Sequence, residues 1–284
     1  MIKTILAPAT GDDDDAAVFA AALAVARRFG GHLDVLHVHA DPAEIAAAFA
    51  ADAGAELVTT GLTERFEAEA DQREELARKS FEAFCKRERL SIGAARPRSG
   101  ALSAQWHREI GSETGWIVEY GRSSDLLVVG RPAEDAARDV IEAGLLDTGR
   151  PLLIPGAVPI DPEIVAIAWK STREAARAVT AAAPFLARAK RVVIVTAAER
   201  DPLDRDSATR MLATVQRHNP ATEVRYVPPG SRGVAETLLV TAAEAGAGLL
   251  VMGGYNHSRV RELILGGVTE HVLRSATLPV LIAH

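Results

Sequence analysis

Cysteine is almost missing from this chain: Cys85 is the single one among 284 residues. That excludes an internal disulfide, and with it the stapled scaffold of a small secreted domain. Cys85 falls beside Phe81 and Phe84 on a helical stretch, the setting of a buried, inert thiol. An excess of basic charge is also missing. The 32 Lys and Arg face 38 Asp and Glu, a formal charge of -6, so nothing in the composition points to nucleic acid. No stretch reaches the ~20 apolar residues needed to span a bilayer. The opening Met1–Leu6 is too short and too soon interrupted for a signal peptide. The expectation is a cytoplasmic protein with no membrane or nucleic-acid partner. Absent too are a Walker A GK[ST] and any legible Ser-His-Asp, paired-carboxylate or zinc-spaced cluster. No catalytic residue and no metal ligand is assigned from the sequence.

What is present is a repeat. Each half opens on a short apolar strand, Thr4–Pro8 and Ile164–Ala168, followed by an Ala-rich helix, from about Asp14 to Phe29 and from about Arg173 to Ala189. Second strands follow at Leu33–Val38 and Arg191–Thr196, later ones at Asp125–Gly130 and Gly248–Gly253, and closing ones at Pro151–Ile154 and Pro279–Ile282. Continuous apolar strands alternating with helices predict an α/β protein of two doubly wound, Rossmann-like parallel-sheet domains. The join is expected between Pro155 and Pro162, giving domains of 1–156 and 162–284.

The first half carries an insertion at about 41–90. It holds an Ala-rich stretch, Pro42–Ala55, and a helix from about Leu62 to Arg89 whose apolar contacts fall to Leu62, Phe66, Leu76, Phe81 and Phe84. A helix packed on its domain or between the halves is the expected role, with a lid or partner-docking element as the alternative. The run Asp12-Asp13-Asp14-Asp15 reads as a solvated helix start favoured by the helix dipole; no His or Cys stands near it in sequence to complete a metal site.

The most specific signal lies in the last thirty residues: Val251-Met252-Gly253-Gly254-Tyr255-Asn256, then nine residues, then Gly266-Gly267-Val268-Thr269. Small residues ahead of a helix N-terminus let backbone N–H groups approach an anion, so a phosphate is the first ligand to consider. These residues, with the repeat, resemble the universal stress protein family in its tandem form. The family's nucleotide motif reads G, two residues, G, nine residues, G, then S or T. Here it runs through Gly253, Asn256, Gly266 and Gly267, with Thr269 following.

The resemblance implies a HUP-like fold with strand order 3-2-1-4-5, and a stress-response regulator or sensor that binds an adenine nucleotide in its C-terminal domain. ATP with Mg2+ is the expected ligand, ADP and AMP the alternatives. The implied contacts are Ala168, Trp169, Lys170, Val195 and Thr196 around the base and sugar, Met252, Gly253 and Tyr255 beside them, and Asn256, Gly266, Gly267, Val268 and Thr269 at the phosphates. Three positions depart from the motif. Asn256 replaces a glycine, and Asn is the residue that best tolerates a left-handed turn in its place. Gly267 replaces a hydroxyl residue and forfeits one contact of about 1 kcal/mol. Lys170 stands where an acid commonly accepts bonds from the sugar, which an ammonium cannot do.

In the first half, Thr10 and Gly11 occupy the place of that acid, and the segment from Gly130 to Pro151 is shorter than that from Gly253 to Pro279. The helix following it is expected to be truncated and the nucleotide site lost. The resemblance further implies that the closing strands, Leu152–Ile154 and Val280–Ala283, pair with each other within the chain. A homodimer and an unidentified regulatory protein are the further partners implied. The alternative functions are an interaction module without nucleotide and a weak nucleotide hydrolase.

Overall fold

The computed structural model describes residues 1–43, 45, 60–93, 102–131, 135–197, 202–228, 231, 233–254 and 267–284. Tyr255, Asn256, Gly266 and most of the Ala-rich part of the insertion lie outside them. The described chain forms two compact units, Ile2–Gly130 and Arg131–His284.

The first unit is a parallel sheet of β1 (Thr4–Pro8), β2 (His32–His39), β3 (Ser91–Ile92), β4 (Ser103–Ile110) and β5 (Leu126–Val128), in the order β3-β4-β2-β1-β5. Among the described residues the helices α1 (Asp15–Phe29), α2 (Thr60–Glu88) and α3 (Glu113–Ser123) accompany it. Leu33, Val35, His37 and His39 alternate along β2 and are all buried, as the two-residue period of a strand requires. Trp106 and Arg108 stand level with Val35 and His37 on the same face.

Helix α2 packs on that face. Its buried stripe runs Ala70, Ala77, Phe81, Phe84, Cys85, the spacing of one helical face. Phe84 meets Phe19 of α1 at 5.2 Å, and Phe81 meets Trp106 at 5.4 Å between ring centroids. Leu76, expected among these contacts, is 47 % exposed; it sits one position before Ala77 and is turned off the stripe. Burial pushes the Cys85 thiol up to about 11, in keeping with the inert role read from its neighbours.

The second unit contains α4 (Asp135–Asp147), β6 (Leu152–Ile154), β7 (Ile164–Ala168), α5 (Arg173–Leu186), β8 (Arg191–Thr196), α6 (Pro202–Gln216), β9 (Thr222–Tyr226), α7 (Gly233–Glu244), β10 (Leu249–Gly253), α8 (Gly267–Ser275) and β11 (Val280–Ala283). Its strands lie in the order β6-β11-β10-β7-β8-β9. From β9 to β11 this is the expected 3-2-1-4-5 arrangement, all parallel. The exception is β6, the closing strand of the first repeat. It pairs antiparallel with β11, Leu153 opposite Leu281, so the closing strands of the two repeats do meet within the chain.

Two local expectations change. Asp15 does not stand in solvent: it is 2 % exposed and accepts hydrogen bonds from the Thr10 N–H at 2.8 Å and the Gly11 N–H at 3.0 Å. It satisfies the loop after β1 from inside. The helix after β5 is not truncated either, since α4 has 13 residues against nine in α8. β5 ends at Val128 and α4 begins at Asp135, whereas β10 ends at Gly253 and α8 begins at Gly267.

Candidate functional site

In the second unit the C-terminal ends of three adjacent strands come level. Met252 of β10 pairs with Ala168 of β7, which pairs with Val195 of β8. Strands leave β7 to one side through β8 and to the other through β10, so this is the switch point where open α/β sheets bind ligands. Met252, Val195 and Thr196 are buried and Ala168 half-buried; Ala168 and Val195 pack with Val234 and Leu238 of α7. Thr196 O accepts from Val227 N–H at 3.0 Å.

Trp169 is buried, its Nε1–H donating to Ser207 Oγ of α6 at 2.9 Å and its backbone N–H to Val195 O at 2.8 Å. Its ring is thus committed to packing beneath α6. Lys170 is exposed. Thr172 caps α5, its hydroxyl accepting from Ala175 N–H at 3.2 Å.

Gly253 is required by packing. A Cβ there would lie 2.5 Å from Ala175 N and 2.7 Å from Glu174 C, so the first turn of α5 rests directly on the end of β10. Gly267, at the start of α8, is the opposite case: a Cβ there meets nothing within 4 Å among the described residues. Val268 is exposed beside it, while Thr269 is buried. A separate groove of about 560 Å3 beside β11 is lined by residues including Arg150, Arg177 and His284 and contains none of the residues singled out by the sequence.

The corresponding edge of the first unit is built differently. Gly11, with φ of 84°, lies against α2: a Cβ there would meet the Arg73 carbonyl oxygen, which occupies the space above the end of β1. Beneath α2, His37, His39 and Glu74 bring one ligating atom each within 4.8 Å of one another. His37 Nδ1 is 2.7 Å from Ala9 O, and His39 Nδ1 is 2.9 Å from Glu74 Oε2. Arg108 Nε donates to Glu74 Oε1 at 2.7 Å and holds that carboxyl below its usual range. Burial lowers the His37 pKa, and burial raises those of Asp15 and Glu113, the latter helped by Asp12.

The universal stress protein family matches the chain twice, over residues 1–143 and 163–284. The chain belongs to this family. No functionally curated protein matches it. A universal stress protein from Archaeoglobus fulgidus is similar in fold, with a TM-score of 0.67 at 17 % identity, covering 99 % of this chain and 95 % of that one. A putative universal stress protein from Pseudomonas aeruginosa UCBPP-PA14 gives 0.57 at 13 %, covering 99 % and 93 %. A functionally unknown protein of Pseudomonas aeruginosa PAO1 gives 0.55 at 14 %, covering 99 % and 92 %. At these identities the likeness speaks for the fold.

Within this universal stress protein the fold brings Ala168, Val195 and Met252 into one row and sets Trp169, Lys170 and Thr196 beside it. The histidine–glutamate cluster of the first unit escaped the sequence reading. Two signals for it were present: His37 and His39 share a strand face by their spacing of two, and Glu74 falls on the buried stripe of α2 between Ala70 and Ala77. What was not legible was that α2 would cross those histidines. No helix among the described residues is long and apolar enough to cross a membrane.

Proposed function

We propose that this universal stress protein binds an adenine nucleotide, ATP foremost with Mg2+ beside its phosphates, in its second repeat (162–284), and serves in the cytoplasm as a nucleotide-dependent regulator or sensor of stress. The observation that carries the reading is the row Ala168–Val195–Met252 at the strand switch point, in the same repeat as the Gly253 to Thr269 motif. The base and ribose lie along the row and its flanks, Trp169, Lys170, Thr196 and Tyr255. The phosphates lie at the start of α8, where Asn256, Gly266, Gly267, Val268 and Thr269 offer backbone N–H groups and the positive end of the helix dipole. ADP and AMP are weaker ligands of the same cleft.

The first repeat (1–156) does not take part, because the Arg73 backbone lies over Gly11 and Gly130 to Pro151 is shorter in sequence than Gly253 to Pro279. A second reading, an interaction module that has given up nucleotide, is favoured by the burial of Val195, Thr196 and Met252, which leaves a ligand mainly the rim.

Calorimetric titration with MgATP separates the two. The Gly267→Asp variant adds an anion where a side chain meets nothing, so it spares the packing and repels the phosphates. Wild type is expected to bind with 1:1 stoichiometry and Gly267→Asp to lose at least about tenfold in affinity, one opposed charge being worth upwards of 1.4 kcal/mol. Absence of heat at millimolar ATP, for protein with native circular dichroism, establishes the second reading instead.

A further inference from the structure

The cluster under α2 has a chemistry of its own. We propose that His37, His39 and Glu74 form a three-ligand site for a divalent transition-metal ion of the zinc class, held in the first repeat where the second holds its nucleotide row. Among the described residues it is the one group of three or more His, Cys, Asp and Glu side chains close enough to share an ion.

The orientation of His37 is the first reason. A carbonyl oxygen only accepts, so Ala9 O, 2.7 Å away, fixes the proton on Nδ1 and leaves a lone pair on Nε2. That Nε2 is buried and has no hydrogen-bond partner among the described residues, in a residue only 4 % exposed. A buried acceptor without a partner costs about 1–3 kcal/mol, and a metal ion satisfies it. A ligating histidine whose other nitrogen donates to a backbone carbonyl is the arrangement that fixes tautomer and ring plane in metal sites.

The other two ligands are similarly prepared. Glu74 is pinned by Arg108 through Oε1, which leaves Oε2 toward His39 Nδ1 at 2.9 Å. Ligand atoms around a tetrahedral zinc, at bonds of about 2.0–2.1 Å, lie about 3.3 Å apart. The 2.9 Å pair therefore has to open slightly, and the widest separation, at most 4.8 Å, has to close. Without metal, His39 and Glu74 satisfy each other as a hydrogen-bonded pair, which the ion displaces.

The surroundings favour a cation. The carboxylate of Asp15 acts on His37, that of Asp71 stands 4.0 Å from His39 Nε2, and the Arg108 guanidinium is bonded to Glu74. With Glu74 they make three acids to one base. Two imidazoles and one carboxylate suit Zn2+ and its neighbours in the transition series, whereas Mg2+ and Ca2+ favour oxygen alone. Three protein ligands leave a fourth position for water or a further donor.

The test is metal binding by the untagged full-length chain after chelator treatment and dialysis. Titration with Zn2+ against a chromophoric chelator is expected to give one tight equivalent, unaffected by excess Mg2+. Co2+ is expected to produce the intense visible ligand-field bands of a four-coordinate ion. His39→Asn and Glu74→Gln, which preserve side-chain shape, are each expected to weaken Zn2+ by more than about 100-fold, beyond the loss of an outer-shell partner, and to abolish the cobalt bands. His37→Leu is expected to do the same. His107→Ala, on the opposite face of the sheet, is expected to leave binding unchanged. Circular dichroism verifies folding, and if His37→Leu fails to fold the other two variants carry the result. No tight equivalent in wild type, or one that survives both His39→Asn and Glu74→Gln, overturns the proposal.

Discussion

Lys170 is the residue at which the nucleotide reading is most exposed to test. It stands exposed just past the end of β7, and its ammonium can donate to a ribose hydroxyl but not accept from one. Lys170→Asp restores an acceptor. A hydrogen bond to a charged group contributes about 1.5–3 kcal/mol, so affinity for ATP is expected to rise by about tenfold or more, read by titration. No gain means that the sugar lies elsewhere. At this scale the sequence was informative where chemistry depends on residue type: the departures at Lys170 and Gly267, and the buried Cys85. It was uninformative where the chemistry depends on a neighbour distant in the chain. Asp15 reads as one of four solvated acids, yet Thr10 and Gly11 fold back onto it. Asp34 reads as a polar strand residue, yet its carboxylate accepts from His107 Nε2 at 2.8 Å and stands 3.5 Å from His32 Nε2.

Asp34 has a pH consequence. Although burial opposes it, the hydrogen bond from His107 and the His32 imidazole beside it hold its carboxyl well below the ordinary value of 3.8. A folded-state pKa below the unfolded one stabilises the protein fully above the unfolded value. The contribution is lost as the pH falls from 3.8 toward the folded value, because the unfolded chain takes up the proton first. Asp34→Asn is therefore expected to lower stability at neutral pH by about 1–3 kcal/mol. The gap from wild type should narrow steadily below pH 4 in urea denaturation followed down to about pH 2. A gap of constant size across that range would show that the charge of Asp34 contributes nothing.

Among the elements, α2 is the one that sets this chain's first repeat apart. Its place as a packed helix was legible in outline, with a boundary near Leu62 and Arg89 against Thr60 and Glu88 in the structure. Its stripe was legible in part, since Phe81 and Phe84 are where the spacing puts them. Leu76 was not, because a leucine off the stripe looks like any other apolar residue until the helix phase is fixed. Nor was Glu74, since a carboxylate on the buried stripe makes sense only with Arg108 and His39 opposite it. Phe81, 2 % exposed against Trp106, is expected to cost about 3–5 kcal/mol when cut to Ala. Leu76→Ala is expected to stay within about 0.5 kcal/mol. Equal losses at the two positions would mean that α2 does not pack on this face.

At the scale of the whole molecule, the repeat made the fold readable. Two passes of strand, helix and strand, each closing on a Pro-led apolar run, point to the parallel sheets, while the 3-2-1-4-5 order of the second repeat and the antiparallel union of Leu152–Ile154 with Val280–Ala283 follow what the family resemblance implies. Repetition also exposes divergence. One repeat keeps an unobstructed glycine at the start of α8 beside a level row of strand ends. The other lays α2 across the equivalent edge and buries two histidines under it. The account therefore assigns the two edges different ligands. The most direct measurement is a crystal structure of the full chain grown with MgATP. The account predicts density for one nucleotide in the second repeat, its base at the Ala168–Val195–Met252 row and its phosphates at Gly267. Nucleotide density over Gly11 in the first repeat, or an empty second cleft at saturating ATP, would contradict it.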